Sequence, residues 1–149
     1  MAVTQPPVST SHVTVRKPRI LLVDDEPGVL RGLERVLRNG QPLWEIGLAR
    51  DGAEALAMMA NQSFHVVMTD LHMPVMNGLT LLDHLTKRHP ETVRIVHSSR
   101  IDTMGKQFIK HLAHEVLLKP ATAMEILRVT NWAMEHSVWS AASSRGQAG

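Results

Sequence analysis

Residues 19–28 read Arg-Ile-Leu-Leu-Val-Asp-Asp-Glu-Pro-Gly, and this stretch decides the fold. An apolar run, Ile20-Leu21-Leu22-Val23, stops at two carboxylates, Asp24 and Asp25, and a helix-period segment follows. The arrangement recurs downstream. Asp70 follows Val66-Val67-Met68-Thr69, Ser98 follows Val93-Arg94-Ile95-Val96-His97, and Lys119 follows Val116-Leu117-Leu118. Short apolar runs alternating with helical periodicity predict a parallel α/β sheet. Such sheets bind ligands outside the carboxyl ends of their strands, where the strand order reverses. Carboxylates, a hydroxyl and an ammonium would then meet at one sheet edge, a setting for a divalent cation and a phosphoryl group.

Strand 19–23 leads to a helix near 27–39, with Leu30, Leu33, Val36 and Leu37 on one face and Asn39-Gly40 at its end. A strand near 44–49 precedes a helix at 52–61 carrying Ala55, Leu56, Met58 and Met59. A strand at 64–69 is followed by a loop and a helix from about 77 to 88, with Leu79, Leu82 and Leu85 inward. Strand 93–97, helix 102–112, strand 115–118 and helix 122–137 complete the pattern. Right-handed crossovers between these units give a doubly wound sheet with helices on both faces. Residues 1–18 hold prolines and Ser/Thr without an acidic residue and read as a disordered arm, and the Ser/Ala/Gly-rich residues 138–149 as a flexible tail.

The 149 residues suffice for one domain with a full core. A hydrophobic content of 44% with 20% charged residues is that of a soluble globular chain. The absence of cysteine removes disulfides and thiolate metal sites and is compatible with a reducing cytosol. Lys and Arg are scattered and the formal charge is only +2, so charge gives nucleic-acid binding no support. The first residues lack a signal-peptide pattern, and no apolar stretch approaches the ~20 residues that span a membrane. The expectation is a cytoplasmic protein binding neither nucleic acid nor membrane.

The stretches ILLVDDEPGVLRGL, HVVMTDLHMPVMNGLTLL, VRIVHSS and VLLKP, in this order, resemble the receiver domain of two-component response regulators over residues 19–137. The resemblance implies a flavodoxin-like sheet of order 2-1-3-4-5. It makes Asp70 the phosphoacceptor, forming an acyl phosphate. Asp25 and Asp70 would ligate Mg2+ directly, Asp24 mainly through water, and His72 through its backbone carbonyl. Adjacent carboxylates facing a third repel unless a cation intervenes, and hard oxygen ligands with several waters suit magnesium. Ser98 would hydrogen-bond one phosphoryl oxygen and Lys119 another, with Pro120 after it in a cis bond. Met73-Pro74 and Gly78 shape the loop after Asp70.

Other chemistries fit less well. Phosphatases of the haloacid-dehalogenase type need an Asp two residues after the nucleophile, where this chain has His72. Dinucleotide binding calls for Gly-x-Gly-x-x-Gly where this chain reads Asp24-Asp25-Glu26-Pro27-Gly28. The nine histidines show no recurring metal-ligand spacing.

The chain also departs from the family pattern. Receivers usually carry Tyr or Phe on the fifth strand where this chain has Val116, so the switch that couples phosphorylation to the face of helix 4, strand 5 and helix 5 loses its rotor. Ser99 stands beside the phosphoryl approach path, and His72 and Arg100 occupy positions that tune phosphoryl lifetime. On the last helix Met124, Leu127 and Met134 form one stripe and Ile126, Val129 and Ala133 another, with Trp132 and Trp139 nearby. One stripe covers the sheet; the other is a candidate partner or homodimer surface.

The sequence therefore reads as a stand-alone receiver, closest to those preceding HD-type phosphodiesterase outputs. It takes a phosphoryl group on Asp70 from a histidine kinase or histidine phosphotransfer protein and acts by contact with an output protein. It is expected to be a phosphoacceptor rather than an enzyme, limited to self-phosphorylation and autodephosphorylation. The alternative is a constitutive interaction adaptor on the same scaffold, uncoupled from phosphorylation.

Overall fold

A computed structural model of the protein describes residues 16–139. Its strands are β1 (Arg19–Val23), β2 (Glu45–Ala49), β3 (Val66–Thr69), β4 (Val93–Ser98) and β5 (Glu115–Leu118). Between and after them run α1 (Pro27–Gly40), α2 (Gly52–Asn61), α3 (Gly78–Arg88), α4 (Thr103–Leu112) and α5 (Ala123–Glu135). All strands pair in parallel, in the order β2-β1-β3-β4-β5. This is the doubly wound, flavodoxin-like sheet that the alternating periodicity and the receiver resemblance imply. The expected arm at 1–18 and tail at 138–149 lie, apart from 16–18 and 138–139, outside the described residues.

Burial explains the patterning. β3 and β4 are buried along their whole length because helices cover both faces. Ile20, Leu22, Val66, Met68 and Ile95 pack with Leu30, Leu33 and Leu37 of α1 and Ile126, Val129 and Ala133 of α5. On the opposite face Leu21, Val23 and Val67 meet Ala55 and Met59 of α2 and Leu81 and Leu85 of α3. Val96 packs with Leu82 of α3 and Ile109 of α4. Burying each such side chain contributes about 1.5–3 kcal/mol.

Helix starts follow local chemistry. Pro27 opens α1, where a missing N–H costs nothing. The side chains of Asp51, Asn77 and Asp102 accept the N–H of Glu54, Thr80 and Gly105 and begin α2, α3 and α4. Thr122 and Glu125 cap α5 reciprocally.

Two helices bury more than the stripes read from the sequence. Leu81 is fully buried while Leu79 is only partly so, because α3 is wedged between α2 and α4 and its apolar stripe is wider than a single row. The two stripes of α5 largely merge: Met134 joins Ile126, Val129 and Ala133 against the sheet. Leu127 packs on α1 at Gly40, and Met124 alone stays outside, 82% exposed. Among the described residues, no helix is long and apolar enough to cross a membrane.

Candidate functional site

Parallel pairing runs one residue past the strands at the carboxyl edge. Asp24 N–H donates to Ala49 O (3.1 Å), Asp70 N–H to Val23 O (2.9 Å), and Lys119 N–H to Ser98 O (2.9 Å). Each extra rung holds one of the candidate site residues, Asp24, Asp70 and Lys119, at the point where its strand ends. The ladder thus gathers residues separated by up to 95 positions in the chain.

Asp24, Asp25 and Asp70 each present a carboxylate oxygen within 4.8 Å of the others. Asp24 and Asp70 are buried and Asp25 is exposed, so the cluster opens to solvent on one side. Lys119 Nζ lies 2.7 Å from Asp24 Oδ2 and 3.3 Å from Asp70 Oδ2. The other oxygens are held by backbone: Glu26 N–H donates to Asp24 Oδ1 (3.0 Å) and Leu71 N–H to Asp70 Oδ1 (2.7 Å). Burial pushes the Asp24 carboxyl up, opposed by the Lys119 ammonium and the Glu26 N–H. Burial alone would pull Lys119 down, but Asp24 and Asp70 outweigh it and hold the ammonium above its ordinary range. The carboxylates remain in excess of the one ammonium, and all donors are hard oxygens. This donor set fits a small divalent cation such as Mg2+.

The loop after Asp70 is shaped by close approach. Gly78 N–H donates to Leu71 O (3.0 Å), and a Cβ at Gly78 would collide with the Asp70 carbonyl and sit 2.8 Å from Leu71 Cα. Only glycine fits there. Between these residues Met76 N–H donates to Pro74 O (2.7 Å), a three-residue turn. Its central residue, Val75, has φ 67° and is 84% exposed. Sequence reasoning missed this, since nothing in Met-Pro-Val-Met marks the valine as left-handed. A cavity of about 530 Å³ opens beside the cluster, lined by Asp25, His72, Met73, Pro74, Ile101 and Asp102.

Ser98 is fully buried and its hydroxyl donates to Arg100 O at 3.3 Å. Ser99, Arg100 and Val116 line a second groove, between α4 and β5, with Ile109, Lys106 and Leu118. Val116 is 40% exposed there. The Lys119–Pro120 bond is cis. His97 was not singled out in the sequence. It is buried on the α1/α5 side of β4, and burial, with Lys119 nearby, pulls its imidazole down to about 4.

The family model of the response regulator receiver domain matches residues 20–131. The chain belongs to that family. Among solved structures, this receiver is similar to the signal receiver domain of an HD domain-containing protein from Pseudomonas fluorescens Pf-5. That likeness has 30% identity and a TM-score of 0.76, covering 81% of this chain and 97% of that one. The chemotaxis response regulator CheY4 of Vibrio cholerae superimposes with a TM-score of 0.71 at 25% identity, over 79% and 99% of the two chains.

Among curated proteins, the receiver is 34% identical to protein-glutamate methylesterase/protein-glutamine glutaminase 1 of Rhodospirillum rubrum, over 79% of this chain and 31% of that protein. It is 32% identical to the uncharacterized transcriptional regulatory protein YesN of Bacillus subtilis, over 73% of this chain and 30% of that protein. The chain spans about a third of the length of these relatives. They correct one expectation. The sequence was expected to describe a phosphoacceptor and no enzyme, whereas several relatives are enzymes by name. What this chain shares with them is the receiver, which by itself neither supplies nor excludes catalysis by a whole protein.

Proposed function

We infer that Asp70 accepts a phosphoryl group from a histidine kinase or a histidine phosphotransfer protein, with Mg2+ bound at Asp24, Asp25 and Asp70. The observation that carries this reading is the Asp24–Asp25–Asp70 cluster with Lys119 Nζ in contact with two of its members. A carboxylate oxygen of Asp70 forms the new P–O bond while the bond from phosphorus to the donor nitrogen breaks, and the departing imidazole keeps the electron pair. Lys119 neutralises charge on a phosphoryl oxygen. Asp25 and Asp70, with the His72 carbonyl, would hold Mg2+ and Asp24 would support it, and the ion would supply further charge neutralisation.

Ser98 completes the site by exchanging its partner. Its bond to Arg100 O, at 3.3 Å, is longer than the 2.5–3.0 Å usual for O–H···O, so a charged phosphoryl oxygen competes well for the hydroxyl. The exchange alters the start of the β4–α4 loop and changes which output protein binds. Arg100, His72 and Ser99 tune the lifetime of the acyl phosphate. The face of α4, β5 and α5 is the output or homodimer surface.

A second reading has one observation in its favour. Val116 stands half-exposed where receivers carry an aromatic ring, so the face made by α4, β5 and α5 lacks a rotor and binds its partner regardless of phosphorylation.

Intact-mass measurement after incubation with acetyl phosphate and Mg2+ tests the first reading. One added phosphate is expected on the wild type and none on Asp70→Asn. No phosphate on the wild type, together with no beryllofluoride binding, would remove the phosphoacceptor and leave the adaptor.

A further inference from the structure

The opposite edge of the sheet, where the strands begin, carries the same arrangement twice. His65 N–H donates to Arg19 O (2.9 Å), and Arg19 N–H returns a bond to His65 Nδ1 (3.0 Å). His114 N–H donates to Arg94 O (2.8 Å), and Arg94 N–H returns a bond to His114 Nδ1 (2.9 Å). In each case an imidazole nitrogen stands where a parallel ladder would next supply a carbonyl. One rung joins the start of β1 to β3; the other joins β4 to β5.

A backbone amide can only donate, so each Nδ1 must be bare and each neutral ring carries its hydrogen on Nε2. Protonation at neutral-to-acid pH adds a hydrogen to Nδ1, the one atom that must accept. The rung then becomes two donors facing each other.

The surrounding charges act in the same direction. His65 faces Arg16 and Arg19, and the Arg19 guanidinium is engaged by Glu45 and Ser63 O. His114 faces Arg94, whose guanidinium is fixed by Leu112 O and Thr92 O, and Glu115 is its chain neighbour. Burial and these arginines hold both imidazoles below their ordinary range. The two differ in shielding: His65 is 5% exposed, with Nε2 buried and without a protein partner, whereas the His114 ring is exposed.

We propose that these histidine rungs are an acid-sensitive latch on the amino-terminal edge of the sheet, in which the β4–β5 rung opens before the β1–β3 rung as pH falls. The sign follows from linkage. A neutral, rung-forming histidine contributes fully above the unfolded-state value near 6.5 and loses its contribution as pH falls below it. Each ring must free its Nδ1 to take the proton; His114 is already exposed and does so at the smaller cost, while His65 must leave a buried seat. The latch lies at the end of the strands away from Asp70, so it acts on the fold's free edge without touching the acidic cluster.

Amide hydrogen exchange between pH 7.5 and 5.0, corrected for intrinsic rates, tests the proposal on the wild-type chain. Protection of the Arg94 amide is expected to fall by up to about tenfold per pH unit as pH drops below the open-state histidine value of about 6.5. The Arg19 amide should follow at lower pH, and the mid-strand amides of Leu22 and Met68 should hold. A His114→Asn variant, whose side-chain carbonyl oxygen stands at the position of Nδ1 and accepts without titrating, should flatten the Arg94 profile alone. Ring 15N shifts of the wild type give an answer independent of any variant's folding. Both rings should show a bare Nδ1 at pH 7.5. Protection at Arg19 and Arg94 that does not change with pH, or an Nδ1-protonated neutral ring, would overturn the latch.

Discussion

Replacing Val75 with asparagine should stabilise this protein, although it removes an apolar side chain from the loop after Asp70. Val75 sits at φ 67°, the left-handed region, where an L-residue with a Cβ pays about 1–2 kcal/mol and a β-branched one stands at the upper end. The side chain is 84% exposed, so its packing offsets almost none of that strain. The turn is held instead by Met76 N–H on Pro74 O and by the Met76 carbonyl, which accepts Gly52 N–H at 3.2 Å. Asparagine tolerates the left-handed region and leaves both bonds in place. The expected gain is about 1 kcal/mol, or a Tm rise of roughly 4 °C for a domain of this size. Glycine relieves the same strain but loses about 0.5–1 kcal/mol to unfolded-state entropy, so Val75→Gly should gain less than Val75→Asn. Thermal and urea unfolding of the three proteins gives the order directly. If Val75→Asn melted at or below the wild type with an unchanged m-value, the strain at this turn would not exist and the argument would fail.

Three further outcomes follow from the site. Gly78→Ala drives a Cβ against the Asp70 carbonyl and should cost about 2 kcal/mol or more while lowering acetyl phosphate turnover; urea unfolding and intact mass check both, and a wild-type midpoint would contradict the contact. His97, held at about 4, should withdraw about 3 kcal/mol of stability as pH falls from 6.5 towards 4, because the unfolded chain binds the proton first. Urea midpoints across that range should show a shallower acid limb in His97→Leu, and an identical limb would remove the assignment. Arg100→Ala should hasten loss of the acyl phosphate, since the guanidinium is expected to shield it; an unchanged decay rate in a phosphate-release assay would end that idea.

Much of the architecture is legible in the amino-acid pattern. Ile20–Val23, Val66–Thr69 and Val93–His97 are short apolar runs punctuated by polar residues, and such runs form strands because their side chains are covered on both faces. The site's members are legible for the same reason: Asp24, Asp70, Ser98 and Lys119 each come immediately after a run, and the carboxyl end of a parallel strand has one fixed direction. Leu81 is absent from the inward row read from the sequence, and Met134 stands there in a separate stripe from Ile126, Val129 and Ala133, yet both are core residues. α3 touches two neighbouring helices and α5 packs on α1 as well as the sheet, so a single stripe at helical spacing understates what each buries.

Period, strand ends and turn residues are local properties, and the order of amino acids is enough to set them: five β-α units, a sheet with one polar carboxyl edge, and the residue types at that edge. How those residues meet is a property of the packed fold alone. Lys119 reaches Asp24 across 95 positions only because β5, β4, β3 and β1 stand in one register. Val75 is forced left-handed because Met76 must reach back to Gly52. His65 and His114 become acceptors only because each directly precedes a strand and lies beside an arginine backbone N–H on the neighbouring strand. Each of these depends on the distance between chain segments that no local pattern encodes, and sheet register sets that distance.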